Sequence, residues 1–470
     1  MKMKTFYIDT IHCPVWRTFV AGFILLLVTS CEEFIEIDAP KTEITSNIVF
    51  SNDAAATSAI RGIYSLMTSS QSFTNGEVER YTGLSSDELV NHSSRNEQQQ
   101  FYFPSLTSLN GVVHGVFWRE AYKYISNANA VIEGLSKSTS LNSSTKTQLE
   151  GEAKFIRAFC HFYLMNLFGD VPYVTTTDYQ QNSTEGRLPM ADVYSRIISD
   201  LTDAKNLLIS DYSFSNNERI QPNRYAAMAL LARVYLYSGK WAEAEQEAST
   251  IMSNTTDFEL VEIENIFLAN SKEAIWQLQP VVPEKSTAQA RIFLLFNKPT
   301  EVSLNPDFVA SFETGDERRG AWVGEFSDAS GTYYYPWKYK VYSGSTLTEY
   351  AMVLRLAEQY LIRAEARAQL MNLSGAIEDI DKLRLRAGLP LIQDTEPVIS
   401  QEDLLTAIAR ERKFEFMAEW GHRWLDLKRT GLTESVLSTM KIDWQVTDEL
   451  YPIPQSERLL NPALTQNPGY

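Results

Sequence analysis

The sequence has few of the residues, and lacks the motifs, on which many enzymes depend. Its 470 residues include three cysteines and five histidines, and the histidines form no His-Glu-x-x-His pair. A Walker loop, a Gly-x-Ser-x-Gly elbow and a glycine-rich nucleotide fingerprint are also missing. We therefore predict a protein that is not an enzyme. A carboxylate pair for glycoside hydrolysis stays open, because its separation of roughly 5 to 10 Å exists only in the fold.

Basic residues are outnumbered by acidic ones. The chain has 42 Lys and Arg against 59 Asp and Glu, which gives a formal net charge of −17. The acidic residues are spread along the chain, so we expect no nucleic-acid partner. A hydrophobic share of 44% and a charged share of 21% are typical of a globular protein with one large domain or two closely packed domains.

Long apolar runs are missing except near the N-terminus. Lys2, Lys4 and Arg17 precede an uncharged, mainly apolar stretch from Thr18 to Ser30. This stretch is shorter than the roughly 20 residues that cross a bilayer. We therefore predict that residues 1–30 are a secretory signal peptide.

The apolar stretch ends in a sequence that resembles a bacterial lipobox, Leu27-Val28-Thr29-Ser30-Cys31. Cys31 would then carry lipid, and acyl chains contribute about 0.8 kcal/mol per buried CH₂ to membrane binding. The alternative is a signal peptide that merely ends near a cysteine, although acidic residues begin directly afterwards. We expect residues 31–46 to be an acidic tether, with the lipid on Cys31 as the membrane anchor and no other cofactor or metal. Cys160, surrounded by aromatic residues, is predicted to be a buried hydrophobic residue.

The remaining chain predicts an all-α fold with few short strands. Helical spacing of apolar residues indicates a scaffold over about 47–68, 116–252 and 349–430. Two segments without helical period, about 69–115 and 259–348, are rich in Ser, Thr, Asn, Gly and aromatic residues. Long irregular segments usually carry function, so we expect them to form a ligand-binding half. A short strand is predicted near 274–278.

Two helix pairs have the spacing of a repeat. Ala232 and Ala244 are small residues twelve positions apart, and Ala364 and Ala376 repeat that separation. The first pair resembles a tetratricopeptide repeat, in which small residues let two antiparallel helices approach closely. Such units stack, because one unit alone cannot bury its faces.

Aromatic residues are concentrated between 313 and 342. Trp322, Tyr333 and Tyr335 are our candidates for glycan contacts, because a sugar ring packs its C–H face on a flat aromatic side chain. The alternative is that these rings fill a secondary core beneath a long loop. Asp87 and Asn91, from a polar stretch at 80–95, are candidate hydrogen-bonding partners. They compete with a simpler interpretation, a solvated loop with a capping Asp.

Charged residues on the predicted helices at 358–367 and 411–415 are spaced three or four apart. We expect them to form surface or inter-helix ion pairs. Exposed pairs of this kind typically contribute under about 1 kcal/mol each.

Several segments, in order along the chain, resemble the SusD/RagB family of outer-membrane lipoproteins. They are FSNDAAATSAIRGIYSLM at 50–67, EAKFIRAFCHFYLMNLFGDVPYV at 152–174, LRLAEQYLIRAEA at 354–366, RERKFEFMAEWGHRWLDLKRTG at 410–431 and YPIPQSERLLNPALTQNPGY at 451–470. Each segment alone is weak evidence for the family, but the occurrence of all of them in the family's order makes the resemblance specific.

The resemblance implies tetratricopeptide-like helix pairs over 47–470 that support an irregular ligand-binding half. It also implies a surface-exposed outer-membrane lipoprotein that captures oligosaccharide or polysaccharide and passes it to a TonB-dependent SusC-like transporter. Glu32 and Glu33 look like the family's surface-export signal. The family has no fixed glycan-contact motif, so the candidate residues rest on clustering alone. The alternatives are a peptide ligand, a tetratricopeptide-like protein-interaction scaffold and an anchored hydrolase.

Overall fold

Helices dominate the computed structural model, which describes residues 46–470. The predicted signal peptide, the lipidation site Cys31 and the tether up to residue 45 lie outside the described residues. Within residues 46–470, no helix is long and apolar enough to span a membrane. The predicted all-α class is confirmed.

The helices fall into two groups along the chain. The first group contains Ser46–Val49, Asp53–Ser69, Val78–Ser85, Asn96–Tyr102, Arg119–Lys137, Ser143–Phe168, Tyr179–Asn182, Met190–Leu207, Arg224–Tyr237 and Trp241–Met252. The second contains Ala288–Phe293, Pro306–Ala310, Glu317–Trp322, Leu356–Gln369, Leu373–Arg386, Ile392–Thr395, Gln401–Glu415, His422–Arg429, Thr433–Leu437 and Gln455–Leu460. Short π-helical turns occur at Phe73–Glu77 and Val113–Trp118, and 3₁₀ turns at Ser213–Ser215, Ile263–Asn265 and Val446–Glu449.

The two predicted repeat units are antiparallel helix pairs. Ala232 and Ala244 lie in Arg224–Tyr237 and Trp241–Met252, and Ala364 and Ala376 lie in Leu356–Gln369 and Leu373–Arg386; all four alanines are fully buried. Ala232 and Ala244 share one apolar cluster with residues of the helix Leu356–Gln369, so the two pairs pack on each other. The stacking predicted from the alanine spacing is confirmed.

Two small sheets complete the fold. Strands β2 (Ala274–Leu278) and β6 (Ala351–Arg355) pair antiparallel. The other strands, β1 (Leu89–Asn91), β3 (Val302–Leu304), β4 (Val323–Asp328) and β5 (Gly331–Pro336), form a sheet in the order β1-β3-β5-β4. The strand predicted near 274–278 is therefore confirmed as β2.

The segments 69–115 and 259–348 are more regular than their sequences suggest. The first contains two short helices and β1, and the second contains three short helices and four strands. Helices of five to eight residues complete at most about two turns, so they leave little periodic signal in the sequence. Tertiary packing, and not local propensity, stabilises elements this short.

The charges of the C-terminal helices lie largely in the interior, contrary to the expectation of surface pairs. Arg355 contacts the carboxylates of Glu273, Glu415 and Glu419 at 2.6–3.0 Å, and all four side chains are buried. Arg233 and Glu358 form a similarly buried pair at 2.6 Å. The pairs do join different elements, as the inter-helix alternative expected, but energies typical of exposed pairs do not apply to them.

Candidate functional site

A polar hollow of about 710 Å³ opens on the surface beside the first helices. Three stretches form its walls: 70–81, 95–98 and 111–120. The lining residues are Ser70, Gln71, Tyr81, Arg95, Glu97, Gln98, Gly111, Val112, His114, Gly115, Val116, Arg119 and Glu120. This volume lies within the range of about 300–1,000 Å³ that small-molecule sites usually have.

Contacts across the chain fix the position of Arg95. Its guanidinium donates to Glu301 at 2.5 Å and to the Gln98 side chain at 2.8 Å. Gln98 in turn donates to the side chain of Asn91 at 2.9 Å and to the backbone oxygen of Glu301 at 3.1 Å. A residue about 200 positions away in the sequence therefore holds this wall of the hollow in place.

Asn110 holds the opposite rim. Its buried side-chain oxygen accepts hydrogen bonds from the backbone N–H groups of Val112 and Val113, and its side-chain nitrogen donates to Glu97 and Gln100. The first two bonds close the turn at 110–113, and the other two tie this turn to the helix Asn96–Tyr102. The same helix end therefore orients both rims of the hollow.

Arg119 and His114 present cationic and hydrogen-bonding groups toward the hollow. The Arg119 side chain is 61% exposed and has one long ion pair, 3.8 Å, with Glu120. His114 Nε2 lies 2.9 Å from a carboxylate oxygen of Glu457 on the C-terminal helix. An exposed guanidinium with only a weak partner has N–H groups available to a ligand.

Tyr81 closes the inner side of the hollow. Its ring packs against Phe101 at 4.6 Å and Phe117 at 6.0 Å between ring centroids. Burial raises the pKa of its hydroxyl to about 12, and the charge of nearby Glu77 adds to this effect. The phenol is therefore neutral at physiological pH and is a hydrogen-bonding group, not a base.

The residues that line the hollow carry both donors and acceptors: guanidinium, imidazole, amide, hydroxyl and carboxylate groups. Such a set matches a ligand rich in hydroxyl groups, because each hydroxyl both donates and accepts a hydrogen bond. Across residues 46–470, no group of three or more His, Cys, Asp and Glu side chains is arranged to hold a metal ion. The arrangement therefore favours binding through hydrogen bonds.

Comparison with known proteins gives two family matches. Residues 36–236 match the family described as starch-binding associating with outer membrane, and residues 314–470 match the SusD family. Together the two matches span more than half of the chain. The chain belongs to the SusD/RagB family. The polar hollow lies within the first of these matches.

Relatives of this SusD-family chain cover nearly its whole length. SusD-like protein P2 of Formosa agariphila is 27% identical over 95% of this chain and 99% of its own. A SusD superfamily protein of Bacteroides vulgatus has a TM-score of 0.77 at 20% identity, over 90% of this chain and 100% of its own. A laminarin-binding SusD-like protein has a TM-score of 0.74 at 22% identity, over 90% and 100% respectively. These structural matches share the SusD-like fold.

Two of the predicted glycan contacts lie in the interior of this SusD-family protein. Trp322 is almost fully buried, with its ring against Phe267 and the Lys338 ammonium 4.4 Å from its centroid. Asp87 is also buried and makes a bidentate ion pair with Arg423 at 2.7 and 2.9 Å. Neither side chain presents a free face to a ligand, so the structure corrects both assignments.

The Asp87 carboxylate is ionised because of its partners. Burial alone would raise its pKa, but the hydrogen bonds and charge of Arg423, with help from Lys413, lower it. A buried ionised group compensated in this way holds the helix His422–Arg429 against the segment before β1. Asp87 is therefore a structural residue.

Asn91 contacts Gln98 in the wall of the hollow, and Tyr333 contacts His92 in the segment after β1. Asn91 receives the hydrogen bond of Gln98 and caps the backbone of Ser93, so it supports the wall without facing the cavity. Tyr333 lies in β5, half-buried, with its ring edge-on to His92 of the segment after β1. Their role as direct contacts stays a prediction.

The side chain of Tyr335, in β5, lies over the neighbouring strand β4. A Cβ atom at Gly324, its partner in β4, would come within 2.3 Å of the Tyr335 ring, so the ring rests directly on the glycine backbone. The side chain is half-buried, and burial raises the pKa of its hydroxyl. Tyr335 is not part of the hollow, and its glycan contact also stays a prediction.

The sequence offered little to indicate the hollow itself. Arg95 belonged to the polar stretch at 80–95, but Arg119 and His114 had no spacing that set them apart from other helix residues. Their partners, Glu301 for Arg95 and Glu457 for His114, are distant in the chain. Only the fold brings these groups to one place.

Proposed function

We propose that this protein is a lipid-anchored, surface-exposed receptor that captures oligosaccharide or polysaccharide and delivers it to a TonB-dependent SusC-like transporter without altering it. Membership of the SusD/RagB family supports the outer-membrane location and the saccharide ligand. The lipobox-like sequence ending at Cys31 supports the anchor.

The observation that carries the proposal is the open hollow with its mixed donors and acceptors. Sugar hydroxyls require such a set of donors and acceptors. An apolar ligand would leave the polar groups of the hollow unpaired, at a cost in binding free energy. A laminarin-binding SusD-like protein and a sugar-binding protein among the structural neighbours are consistent with a saccharide.

Calorimetric titration of the purified protein tests the ligand class. The panel would contain soluble α-glucan, β-glucan, xylan, mannan and pectin, together with a set of oligopeptides. We expect saturable binding of at least one polysaccharide and no release of reducing ends. Binding of peptides alone would support the peptide-receptor alternative, and sustained turnover would support the hydrolase alternative.

Arg119→Ala tests whether the hollow is the binding site. Loss of a charge-assisted hydrogen bond of roughly 1.5–3 kcal/mol should weaken saccharide binding by about 10-fold or more. Arg410→Ala is a matched control, because Arg410 is also exposed and has one ion pair of 3.8 Å, with Glu313. If the two variants bind the saccharide with equal affinity, the binding site lies outside the hollow.

Delivery requires a physical complex with the transporter. Affinity purification of the tagged protein from outer membranes, followed by mass spectrometry, should recover a TonB-dependent barrel protein. Recovery of the receptor without any barrel protein would argue against delivery while leaving saccharide capture in place.

A further inference from the structure

A second, smaller pocket lies apart from the polar hollow. Its volume is about 280 Å³, and its walls are formed by the helix Asp53–Ser69, the segment 215–221 and the end of β2 with the residues that follow it. Among residues 46–470, none that lines the polar hollow also lines this pocket. The volume is just below the usual range of about 300–1,000 Å³ for ligand sites, so it suits one small molecule and not a length of polymer.

Contacts within the fold hold the segment 215–221 in place. The N–H of Arg219 donates to the Asn270 side chain, and the carbonyl oxygen of Arg219 accepts from the N–H of Gln277 in β2, both at 2.8 Å. The Arg219 guanidinium also donates to the carbonyl oxygen of Ala274 at 2.5 Å. This wall of the pocket is therefore formed before a ligand binds, which lowers the entropic cost of binding.

Two side chains of opposite charge line the pocket. Arg61, on the helix Asp53–Ser69, is exposed, and Glu218, in the segment 215–221, is half-buried. In the part of the chain that the structure describes, neither forms a salt bridge, so the two do not pair with each other. The Glu218 carboxylate accepts only a long hydrogen bond, 3.5 Å, from the Tyr350 hydroxyl. Both charged groups are therefore available to a bound molecule.

Glu152, next to the pocket, does not fully compensate the charge of Arg61. Its carboxyl group is buried and accepts hydrogen bonds from Tyr64 at 2.7 Å and from Gln148 at 3.0 Å. Burial raises the pKa of Glu152 to about 7, and these hydrogen bonds and the charge of Arg61 oppose that rise only in part. Glu152 is therefore only partly ionised at neutral pH.

An acceptor without a donor lies in the same pocket. Gln221 lines the pocket and is 5% exposed, and its side-chain nitrogen donates to Glu152 at 3.5 Å. Its side-chain oxygen is buried and has no hydrogen-bond partner within residues 46–470. A buried acceptor without a donor costs free energy, and an N–H group of a ligand would remove that cost.

The remaining walls include apolar side chains, those of Ile220, Leu278 and Val281. A positive group, a negative group, an acceptor and an apolar surface together match a free α-amino acid with an apolar side chain. A neutral sugar would leave both charged groups without a partner. A simple anion or cation would meet one group of its own sign, which costs binding free energy.

We propose that this pocket binds a free α-amino acid with an apolar side chain, such as leucine or phenylalanine. Arg61 donates to the carboxylate of the amino acid, and Glu218 accepts from its ammonium group. The side chain of the amino acid packs against Leu278 and Val281, and the Gln221 oxygen accepts a second hydrogen bond from the ammonium group. The proposal goes beyond saccharide capture and does not depend on it, because the two sites share no lining residue.

Calorimetric titration of the purified protein tests the site, with L-leucine, L-phenylalanine and the amide and N-acetyl derivatives of each as probes. We expect saturable binding of at least one of the two amino acids. The amide lacks the carboxylate and the N-acetyl derivative lacks the ammonium group, so each should bind at least about 10-fold more weakly than its parent. If neither amino acid binds, or if both derivatives bind as tightly as the parent, the proposal is overturned.

Arg61→Gln and Glu218→Gln identify the two charged partners. Each should lower the affinity for the amino acid by about 10-fold. Arg61→Gln should not weaken binding of the amide further, because the amide has no carboxylate to lose. Arg410→Gln and Glu264→Gln are matched controls, since both side chains are exposed and neither lines the pocket.

Equal losses in the control variants, or an unchanged affinity in both pocket variants, would overturn the proposal. Thermal unfolding without a ligand shows whether each variant is folded. The wild-type comparison of each amino acid with its two derivatives needs no variant and tests the same charges. Saccharide binding stands or falls separately in the polysaccharide panel.

Discussion

At the scale of single residues, burial changes the chemistry of several glutamates. Glu79 is almost fully buried, and one of its carboxylate oxygens accepts a hydrogen bond from Gln289 at 2.9 Å. Burial raises its pKa to about 7, and the hydrogen bond from Gln289 only partly opposes that rise. Glu79 thus exchanges its proton near neutral pH.

Glu79→Gln should make stability less dependent on pH. The folded pKa of about 7 lies above the ordinary value of 4.5, so the folded state holds the proton more tightly than the unfolded state. The wild type therefore loses stability as the pH rises from 4.5 to about 7. Above about pH 7 the full cost of the buried charge is present. We expect the glutamine variant to gain about 2–3 kcal/mol relative to the wild type between pH 5 and pH 8.

Urea unfolding at a series of pH values measures this difference. Glu264→Gln is the control, because Glu264 is exposed and its replacement should give a difference that is nearly constant with pH. A constant difference for Glu79→Gln as well would contradict a buried proton at this position.

Residue identity alone did not reveal which charges are buried. The arginines and glutamates at 358–367 and 411–415 have the spacing of an ordinary solvated helix face. Their burial depends on elements that cover them, such as Arg355 at the end of β6, which pairs with Glu415 at 2.6 Å. The expectation for Cys160, in contrast, is confirmed, because its aromatic neighbours in the sequence also surround it in the core.

At the scale of elements, the same type of turn connects the two helices in each helix pair. Gly239 has φ +71°, and the N–H of Lys240 returns to the carbonyl oxygen of Tyr235 at 2.9 Å. Met371 has φ +64° at the equivalent place, and the N–H of Asn372 returns to Arg367 at 2.8 Å. In the second pair, a methionine therefore occupies the left-handed position of the turn, where glycine is favoured.

Met371→Gly should stabilise the protein. A left-handed conformation costs a residue with a side chain roughly 1–2 kcal/mol, and the greater freedom of glycine in the unfolded state offsets part of the gain. The Met371 side chain is 65% exposed, so its removal forfeits little packing. We expect a net increase of about 0.5–1 kcal/mol in the free energy of unfolding.

The reciprocal change, Gly239→Met, is the matched control. It should lower the free energy of unfolding by a similar amount or more, because it places a side chain where the first pair has none. A loss of stability in Met371→Gly would show that the methionine side chain contributes packing that outweighs the backbone conformation.

At the scale of the whole molecule, buried charges join the helix pairs to the irregular half, which consists of the segments 69–115 and 259–348. Arg355 ends β6 and contacts Glu273, which precedes β2. It also contacts Glu415, the last residue of the helix Gln401–Glu415, and Glu419, which follows that helix. Arg318, from the irregular half, reaches Glu411 and Glu415 of the same helix. This network lies where the two halves meet.

Arg355→Met should destabilise the protein strongly. Methionine replaces part of the volume but removes one buried counter-charge from three carboxylates, and breaking a buried ion pair costs about 3–5 kcal/mol in comparable cases. Lys272→Met is the control, because Lys272 and Glu259 form a largely exposed pair at 3.5 Å whose loss should cost under about 1 kcal/mol. Denaturant unfolding measures the free energy of unfolding of both variants. Similar losses of stability in the two variants would mean that the network does not join the halves.

The sequence by itself determined the helical class, the two helix pairs and the family. Apolar periodicity and the twelve-residue alanine spacing are local properties, and a helix expresses them wherever it lies. Strand β2 was equally visible as a short run of apolar residues.

Only the tertiary structure decided which side chains are available to a ligand. Trp322 and Asp87 looked suited to sugar binding but lie in the interior, while Arg119 and Arg61 carried no signal and are exposed. Burial is set by contacts between residues far apart in the chain, such as Arg95 with Glu301. A sequence pattern records what a residue can do, and the packing of distant elements decides whether it faces water, protein or ligand.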